Sequence, residues 1–183
     1  MARVPYLSKD DLAPEDRVLL DRDIALNRVL AHTPGGARAF SRLGGYIRSQ
    51  SSLDARVREL AILQVGYASR SPYEFSHHIK IGYDFGVTDD DIRALIADTE
   101  GRETGLPALD RAVLRAAREM ASDGSASAGT VAELAAHLSN EHLLDLVITI
   151  AFYCGVVRLL ATLDVDVEAE YQVYLERFPL PPA

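Results

Sequence analysis

Cysteine is nearly absent from this sequence: Cys154 is the only one among 183 residues. One thiol cannot form an internal disulfide, and a chain without a disulfide framework suits the reducing cytoplasm. The first residues, 1–5, contain no apolar run of the kind that begins a signal peptide. We therefore expect a cytoplasmic protein stabilised by a packed core, which its 48% of hydrophobic residues can form.

Positive charge is also scarce, because 19 Lys and Arg residues face 27 Asp and Glu residues, for a net charge of -8. Such a chain does not attract phosphate backbones, so we expect no nucleic-acid partner. The most apolar stretch, 143–163, is nearly long enough to span a bilayer, but Asp145 and Arg158 interrupt it. A buried core or subunit-interface helix is the better interpretation, with no membrane partner.

No convincing alternation of apolar and polar residues predicts a strand, whereas helical spacing recurs throughout. We predict an all-α bundle of about eight helices in a single domain, 1–183. The tail after residue 163 adds a turn or two before Pro179. The predicted helices are 14–30, 37–48, 53–68, 72–85, one capped by Thr88, 109–121, one opened by a capping box at 130–133, and 140–163.

A polar cluster lies on the fourth predicted helix, where Ser71, Glu74 and His78 share one face. A carboxylate one turn before a histidine can fix the tautomer of the ring and raise its pKa, which suits proton transfer near neutral pH. A second interpretation remains open. Ser71 followed by Pro72 and Glu74 also fits a helix N-terminus closed by a capping box, and local sequence alone favours that interpretation.

A metal site is a third interpretation, since Glu74 and His77 have the Glu-x-x-His spacing of helical di-iron proteins. Those proteins need a second such motif and two further carboxylates. Glu133 and His137 are four residues apart instead of three, so the set is incomplete. We expect neither a metal nor another cofactor.

The stretch 53–63, with Arg56, Arg58 and Glu59, resembles the arginine–glutamate helix of the carboxymuconolactone decarboxylase / AhpD-like family. The residues 73–78, Tyr-Glu-Phe-Ser-His-His, follow at that family's spacing, and 86–88 fit its next helix break. The clear resemblance covers 53–95, flanked by N-terminal helices in 1–50 and C-terminal helices in 106–183. It implies an AhpD-like helical bundle that forms a homo-oligomer, commonly a trimer or hexamer.

The resemblance also implies a proton relay, with the relay glutamate at Glu59, the tyrosine at Tyr73 and the histidine at His78. The two redox cysteines of AhpD-like alkylhydroperoxidases fall on Ser71 and Glu74, so both thiols are absent. A hydroxyl or a carboxylate cannot replace a thiolate in peroxide reduction. Cys154 lies far away on an apolar helix and is expected to be a small buried hydrophobe.

The resemblance, together with the missing thiols, implies a decarboxylase-like enzyme that uses non-redox acid/base chemistry on a small carboxylated or lactone-type metabolite. His78, Glu74, Glu59 and Tyr73 would be catalytic, with Tyr73 donating to a developing enolate. The expected substrate-binding residues are Arg56, Arg58, Ser71 and His77. Two alternatives remain: an alkylhydroperoxidase activity implied by the family alone, and an oligomeric binding protein that has lost catalysis.

Overall fold

The computed structural model describes residues 2–181, and in this range it contains α-helices, short 3-10 helices and no strand. The all-α prediction is confirmed. The α-helices are α1 Ala25–Leu30, α2 Pro34–Ser49, α3 Ala55–Ala68, α4 Pro72–Asp84, α5 Asp89–Thr99, α6 Ala108–Ser122, α7 Ala128–Ala135, α8 Asn140–Leu163 and α9 Gln172–Arg177. The 3-10 helices are Lys9–Asp11, Pro14–Leu20 and Ala169–Tyr171.

The single helix predicted over 14–30 is wrong. The chain forms a 3-10 helix at Pro14–Leu20, leaves helical geometry, and starts α1 only at Ala25. Ile24 has extended backbone angles, and the amide of Ala25 donates to the carboxylate of Glu168 at 2.7 Å. A contact with a residue so distant in sequence overrides the local helical pattern.

Helix α3 forms the centre of the molecule and packs against α4, α6 and α8. It is buried on almost every side, because the whole run from Val57 to Tyr67 is excluded from solvent. Asp54 caps its N-terminus by accepting a hydrogen bond from the amide of Val57 at 3.0 Å. Polar side chains on this helix therefore have to find partners inside the protein.

The connection between α3 and α4 is short and places the two helices side by side. Ser71 caps α4, and its own amide donates to the carbonyl of Gly66 at 2.9 Å. Gly66 allows this approach, because a Cβ there would lie 3.0 Å from the backbone nitrogen of Phe75. This packing brings side chains of α3 against the inner face of α4.

Helix α8 has the predicted bounds and is long and apolar enough to cross a membrane by length and composition alone. It packs against α3, and its buried Asp145 accepts hydrogen bonds from the hydroxyls of Tyr46 and Ser51 at 2.8 and 2.6 Å. A core helix of the bundle explains these contacts better than a membrane span.

Two predicted caps have different outcomes. Thr88 and Asp91 form the capping box of α5, as expected. The capping box predicted at residues 130–133 is wrong, because α7 begins earlier and Ser127 caps it by accepting from the amide of Thr130.

Candidate functional site

A buried histidine lies between two carboxylates where α3 meets α4. His78 Nδ1 is 2.6 Å from Glu59 Oε2, and His78 Nε2 is 2.9 Å from Glu74 Oε1. Glu59 comes from α3, whereas Glu74 and His78 lie one turn apart on α4. All three side chains are at most 5% exposed. The structure thus aligns Glu59, His78 and Glu74 as a continuous hydrogen-bonded chain.

The charges in this hydrogen-bonded set of Glu59, His78 and Glu74 favour a protonated imidazole on His78. Burial by itself lowers the pKa of His78, but the charges and hydrogen bonds of Glu59 and Glu74 outweigh it and raise the pKa to about 9. Burial likewise opposes ionisation of Glu59, yet His78 and Arg58 hold its pKa below the ordinary value. At neutral pH, His78 is therefore an imidazolium that donates one hydrogen bond to each carboxylate.

Arg58 supports the chain from the side away from Glu74. Its Nε donates to Glu59 Oε1 at 3.1 Å, and its guanidinium lies 4.7 Å from the ring centre of Phe85. The side chain is 3% exposed and does not line a cavity described here. Its placement fits positioning of Glu59 and not contact with a substrate.

Glu74 and His78 line a small cavity of about 50 Å³ between α1, α2, α4 and α8. A single water needs roughly 10–15 Å³ on the same kind of measure, so the cavity has room for a few non-hydrogen atoms. Phe40, Phe152 and Tyr153 give it apolar walls. A compact polar group entering this cavity would meet the Glu74 carboxylate between these apolar walls.

Arg48 and Tyr153 also line this cavity, and neither is among the residues predicted from the sequence. The Tyr153 ring meets His78 edge-on, with ring centres 5.0 Å apart. Burial and the nearby Glu74 raise the pKa of Tyr153, although its hydrogen bond with Arg48 acts in the opposite direction, so the phenol keeps its proton. Arg48 reaches the site from the last turn of α2, and no local motif marks it.

A wider cleft of about 530 Å³ continues outward along α2 and shares several walls with the inner cavity. The residues that line both are Arg22, Ile24, Leu26, Phe40 and Arg48. The inner cavity is thus the end of a cleft that opens towards solvent.

Tyr73 and His77 belong to a second network on the neighbouring face of α4. His77 Nε2 is 2.8 Å from Glu168 Oε2, and its ring stacks between those of Tyr73 and Tyr171. The Tyr73 hydroxyl donates to Glu168 at 3.3 Å and accepts from the amide of Leu26 at 3.2 Å. Tyr73 and His77 also line the inner cavity. The Tyr73 proton is directed to Glu168, so in this arrangement Tyr73 does not donate to a group in the cavity.

Ser71 and Arg56 lie outside the cavity lining. Ser71 caps α4, but the predicted capping box is wrong, since Glu74 turns to His78 and the Ser71 amide already donates to Gly66. Arg56 forms ion pairs with Asp91 and with Asp110. These contacts connect α3 to α5 and α6, so the structure places Arg56 between helices and away from Glu74.

Comparisons with known proteins now bear on this geometry. The family model described as the carboxymuconolactone decarboxylase family matches residues 34–119. This range includes α3 and α4, and with them Glu59, Glu74 and His78. This match confirms the resemblance to the carboxymuconolactone decarboxylase / AhpD-like family over residues 34–119. A search of curated protein sequences finds no significant match.

Three solved structures share the family's fold at low sequence identity. A peroxidase-related AhpD-core protein from Ralstonia eutropha JMP134 is 20% identical, with a TM-score of 0.74 over 93% of this chain and 94% of that one. A cysteine variant of the debrominase Bmp8, in complex with 2,3,4-tribromopyrrole, is 19% identical, with a TM-score of 0.80 over 96% of each chain. An AhpD-type protein from Agrobacterium tumefaciens is 18% identical, with a TM-score of 0.67 over 77% of this chain and 96% of that one.

Within this family fold, the described residues contain no thiol beside the relay histidine. Glu74 occupies the place next to His78 where the resemblance puts a redox cysteine of AhpD. Cys154 lies on α8, where burial raises the pKa of its thiol and Arg158 only partly opposes this. Among residues 2–181, no group of three or more His, Cys, Asp and Glu side chains is arranged to hold a metal ion.

Proposed function

We propose that this family member is a decarboxylase-like enzyme that moves protons on a small carboxylated or lactone-type substrate without redox chemistry. The observation that carries the proposal is the position of Glu74, which bonds to His78 Nε2 and lines the cavity. A carboxylate coupled to a buried imidazolium can both accept a proton from a substrate and return one. Glu74 then reacts with the substrate, while His78 and Glu59 set its protonation.

Decarboxylation in this site has two balanced steps. The bond between the substrate carbon and its carboxylate breaks, carbon dioxide leaves, and the electron pair moves into the conjugated carbonyl as an enolate. The Nε2 proton of His78 then passes through Glu74 to the carbon, and solvent later reprotonates the histidine.

The same geometry argues against thiol-dependent peroxide reduction. That reaction needs a thiolate that becomes oxidised, and Glu74 has no comparable oxidised state. Cys154 is buried and does not line the cavity with Glu74 and His78. We therefore interpret Glu59 and His78 as a proton relay of the AhpD type that here serves the carboxylate of Glu74 instead of a redox thiol.

A paired assay tests the proposal on wild-type protein and on Glu74→Gln and His78→Gln. We expect carbon dioxide release from 4-carboxymuconolactone, a loss of about 100-fold or more in kcat for either variant, and no peroxide reduction with a dithiol donor. Glu176→Gln, an exposed substitution on α9, is the matched control and keeps full activity. Undiminished release in both relay variants contradicts the acid/base assignment, and dithiol-dependent peroxide turnover contradicts the argument from the missing thiols.

The assembly and cellular location are also proposals. We propose a cytoplasmic homo-oligomer, a trimer or a hexamer, that uses the solvent-facing side of α8. Leu144 on this side is 59% exposed, and Ala151 and Gly155 are exposed about two and three turns further along. An apolar stripe of this kind on a long helix is typical of a subunit contact.

A further inference from the structure

Arginine is concentrated in the outer cleft, although the chain as a whole carries a net charge of -8. Twelve residues line the cleft, and the four charged ones are Arg22, Arg38, Arg42 and Arg48. Neither Asp nor Glu belongs to this lining. Clustered charge of one sign in a cleft raises the local concentration of ligands of opposite sign. The cleft therefore favours an anion.

Arg48 is the half-buried one of these four arginines, and like the exposed Arg22 it lines both the cleft and the inner cavity. Arg38 already has a carboxylate partner in Asp16. Arg48 is half-buried, and within residues 2–181 no carboxylate forms an ion pair with it. A half-buried guanidinium without a carboxylate partner is available to pair with the carboxylate of a ligand.

Gly44 determines where the Arg48 guanidinium lies. A Cβ on Gly44 would be 3.1 Å from Arg48 Nη1 and 3.7 Å from the ring of Phe152. The missing side chain lets Arg48 fold back along α2 towards Phe152 on α8, and Arg48 and Tyr153 both line the inner cavity. Two side chains that can donate hydrogen bonds thus face the same small space.

The charges around the inner cavity favour a further negative charge. Glu59 and Glu74 are balanced by Arg58 and the protonated His78, and the lining residues Arg22 and Arg48 add positive charge that no carboxylate pairs with among residues 2–181. Because the cavity measures only about 50 Å³, it can take the reacting group of a substrate while the rest lies in the cleft of about 530 Å³. An anionic group bound to Arg48 would lie where the inner cavity meets the outer cleft.

We propose that Arg48 and the Tyr153 hydroxyl form the carboxylate subsite of this enzyme and determine its specificity for carboxylate-bearing substrates. The planar guanidinium suits a bidentate contact with a carboxylate. Phe40 and Phe152 pack on the apolar body of the substrate, and the exposed Arg22, which borders both the cavity and the cleft, adds positive charge that attracts it. The proposal rests on the proposed function for the part of the substrate that reacts at Glu74. The carboxylate subsite itself can be tested by ligand binding, without any turnover.

The test is calorimetric titration of wild-type protein and Arg48→Gln with benzoate and with its neutral analogue benzamide. We expect Arg48→Gln to weaken benzoate binding at least about tenfold, as for a lost charge-assisted hydrogen bond, and to leave benzamide binding unchanged. Arg48→Lys restores part of the benzoate affinity. Arg93→Gln, an exposed arginine on α5 outside the cleft, is the matched control and binds benzoate like wild type.

Equal benzoate affinity in wild type and Arg48→Gln overturns the proposal, as does wild-type protein that binds benzamide as tightly as benzoate. If Arg48→Gln fails to fold, Tyr153→Phe and a salt titration of wild type replace it. Benzoate affinity must then fall in Tyr153→Phe and with rising salt, while benzamide affinity does not. A failure of carbon dioxide release leaves these binding results intact, so the subsite and the proposed reaction fail separately.

Discussion

The raised pKa of His78 makes a quantitative prediction about stability as a function of pH. The pKa is about 9 in the folded protein against an ordinary value of 6.5. A group with a raised pKa in the folded state stabilises that state fully below its unfolded pKa and loses this contribution as pH rises through the folded pKa. At about 1.4 kcal/mol per pKa unit, the difference corresponds to about 3 kcal/mol. We expect the free energy of unfolding to fall by this amount between pH 6.5 and about 9.

The perturbation that isolates this contribution is Glu59→Gln. It keeps the shape of the side chain but removes the charge that contributes most to the raised pKa of His78. The folded-state pKa of His78 then moves back towards its ordinary value, and most of the stability loss between pH 6.5 and 9 disappears. Stability at neutral pH also falls, because Arg58 loses a buried counter-ion.

Urea unfolding followed by far-UV circular dichroism at half-unit steps from pH 6 to 9.5 measures both slopes. Glu176→Gln is the control for a loss of one carboxylate at the surface, and it keeps the wild-type slope. Comparing slopes removes the contributions of groups that titrate in the same range in every variant. A wild-type free energy of unfolding that stays level from pH 6.5 to 9, or an identical slope in Glu59→Gln, refutes the reasoning.

Two further predictions concern packing and assembly. Gly66→Ala places a Cβ against the backbone of α4, and we expect it to lower the free energy of unfolding by about 1–3 kcal/mol in urea titrations. Gly45→Ala on α2 is its control, because no atom lies within 4 Å of the new Cβ, and it leaves the free energy of unfolding unchanged or slightly higher. Leu144→Glu on the exposed side of α8 lowers the oligomeric mass measured by light scattering after gel filtration, and a wild-type protein that is already monomeric contradicts the proposed α8 contact.

Sequence patterns were sufficient where local signals decide the structure. The bounds of α8 and the capping box of α5 follow from apolar length and from Thr88 with Asp91. The same patterns failed at residues 14–30, where the contact between Ala25 and the distant Glu168 breaks the helix. No local rule anticipates a hydrogen bond that spans most of the chain.

Some residues of the candidate site could likewise be predicted from the sequence, and others could not. The relay of Glu59 and His78 could be predicted because a family resemblance supplied the pairing of two helices that the chain alone does not specify. The capping interpretation of Glu74 was reasonable locally, but it failed because a buried imidazole offers a carboxylate a stronger partner than an amide that is already bonded. Arg48 and Tyr153 could not be found, since their meeting depends on how α2 and α8 pack.

The hydrogen bond of 2.6 Å between His78 and Glu59 also makes the relay visible without a substrate. A proton held between a nitrogen and an oxygen so close together is strongly deshielded, and burial slows its exchange with water. In a one-dimensional proton NMR spectrum it gives a resonance far downfield of the amide region. This resonance disappears in Glu59→Gln and titrates with the pKa of His78, so the protonation state of the relay can be followed in the resting protein.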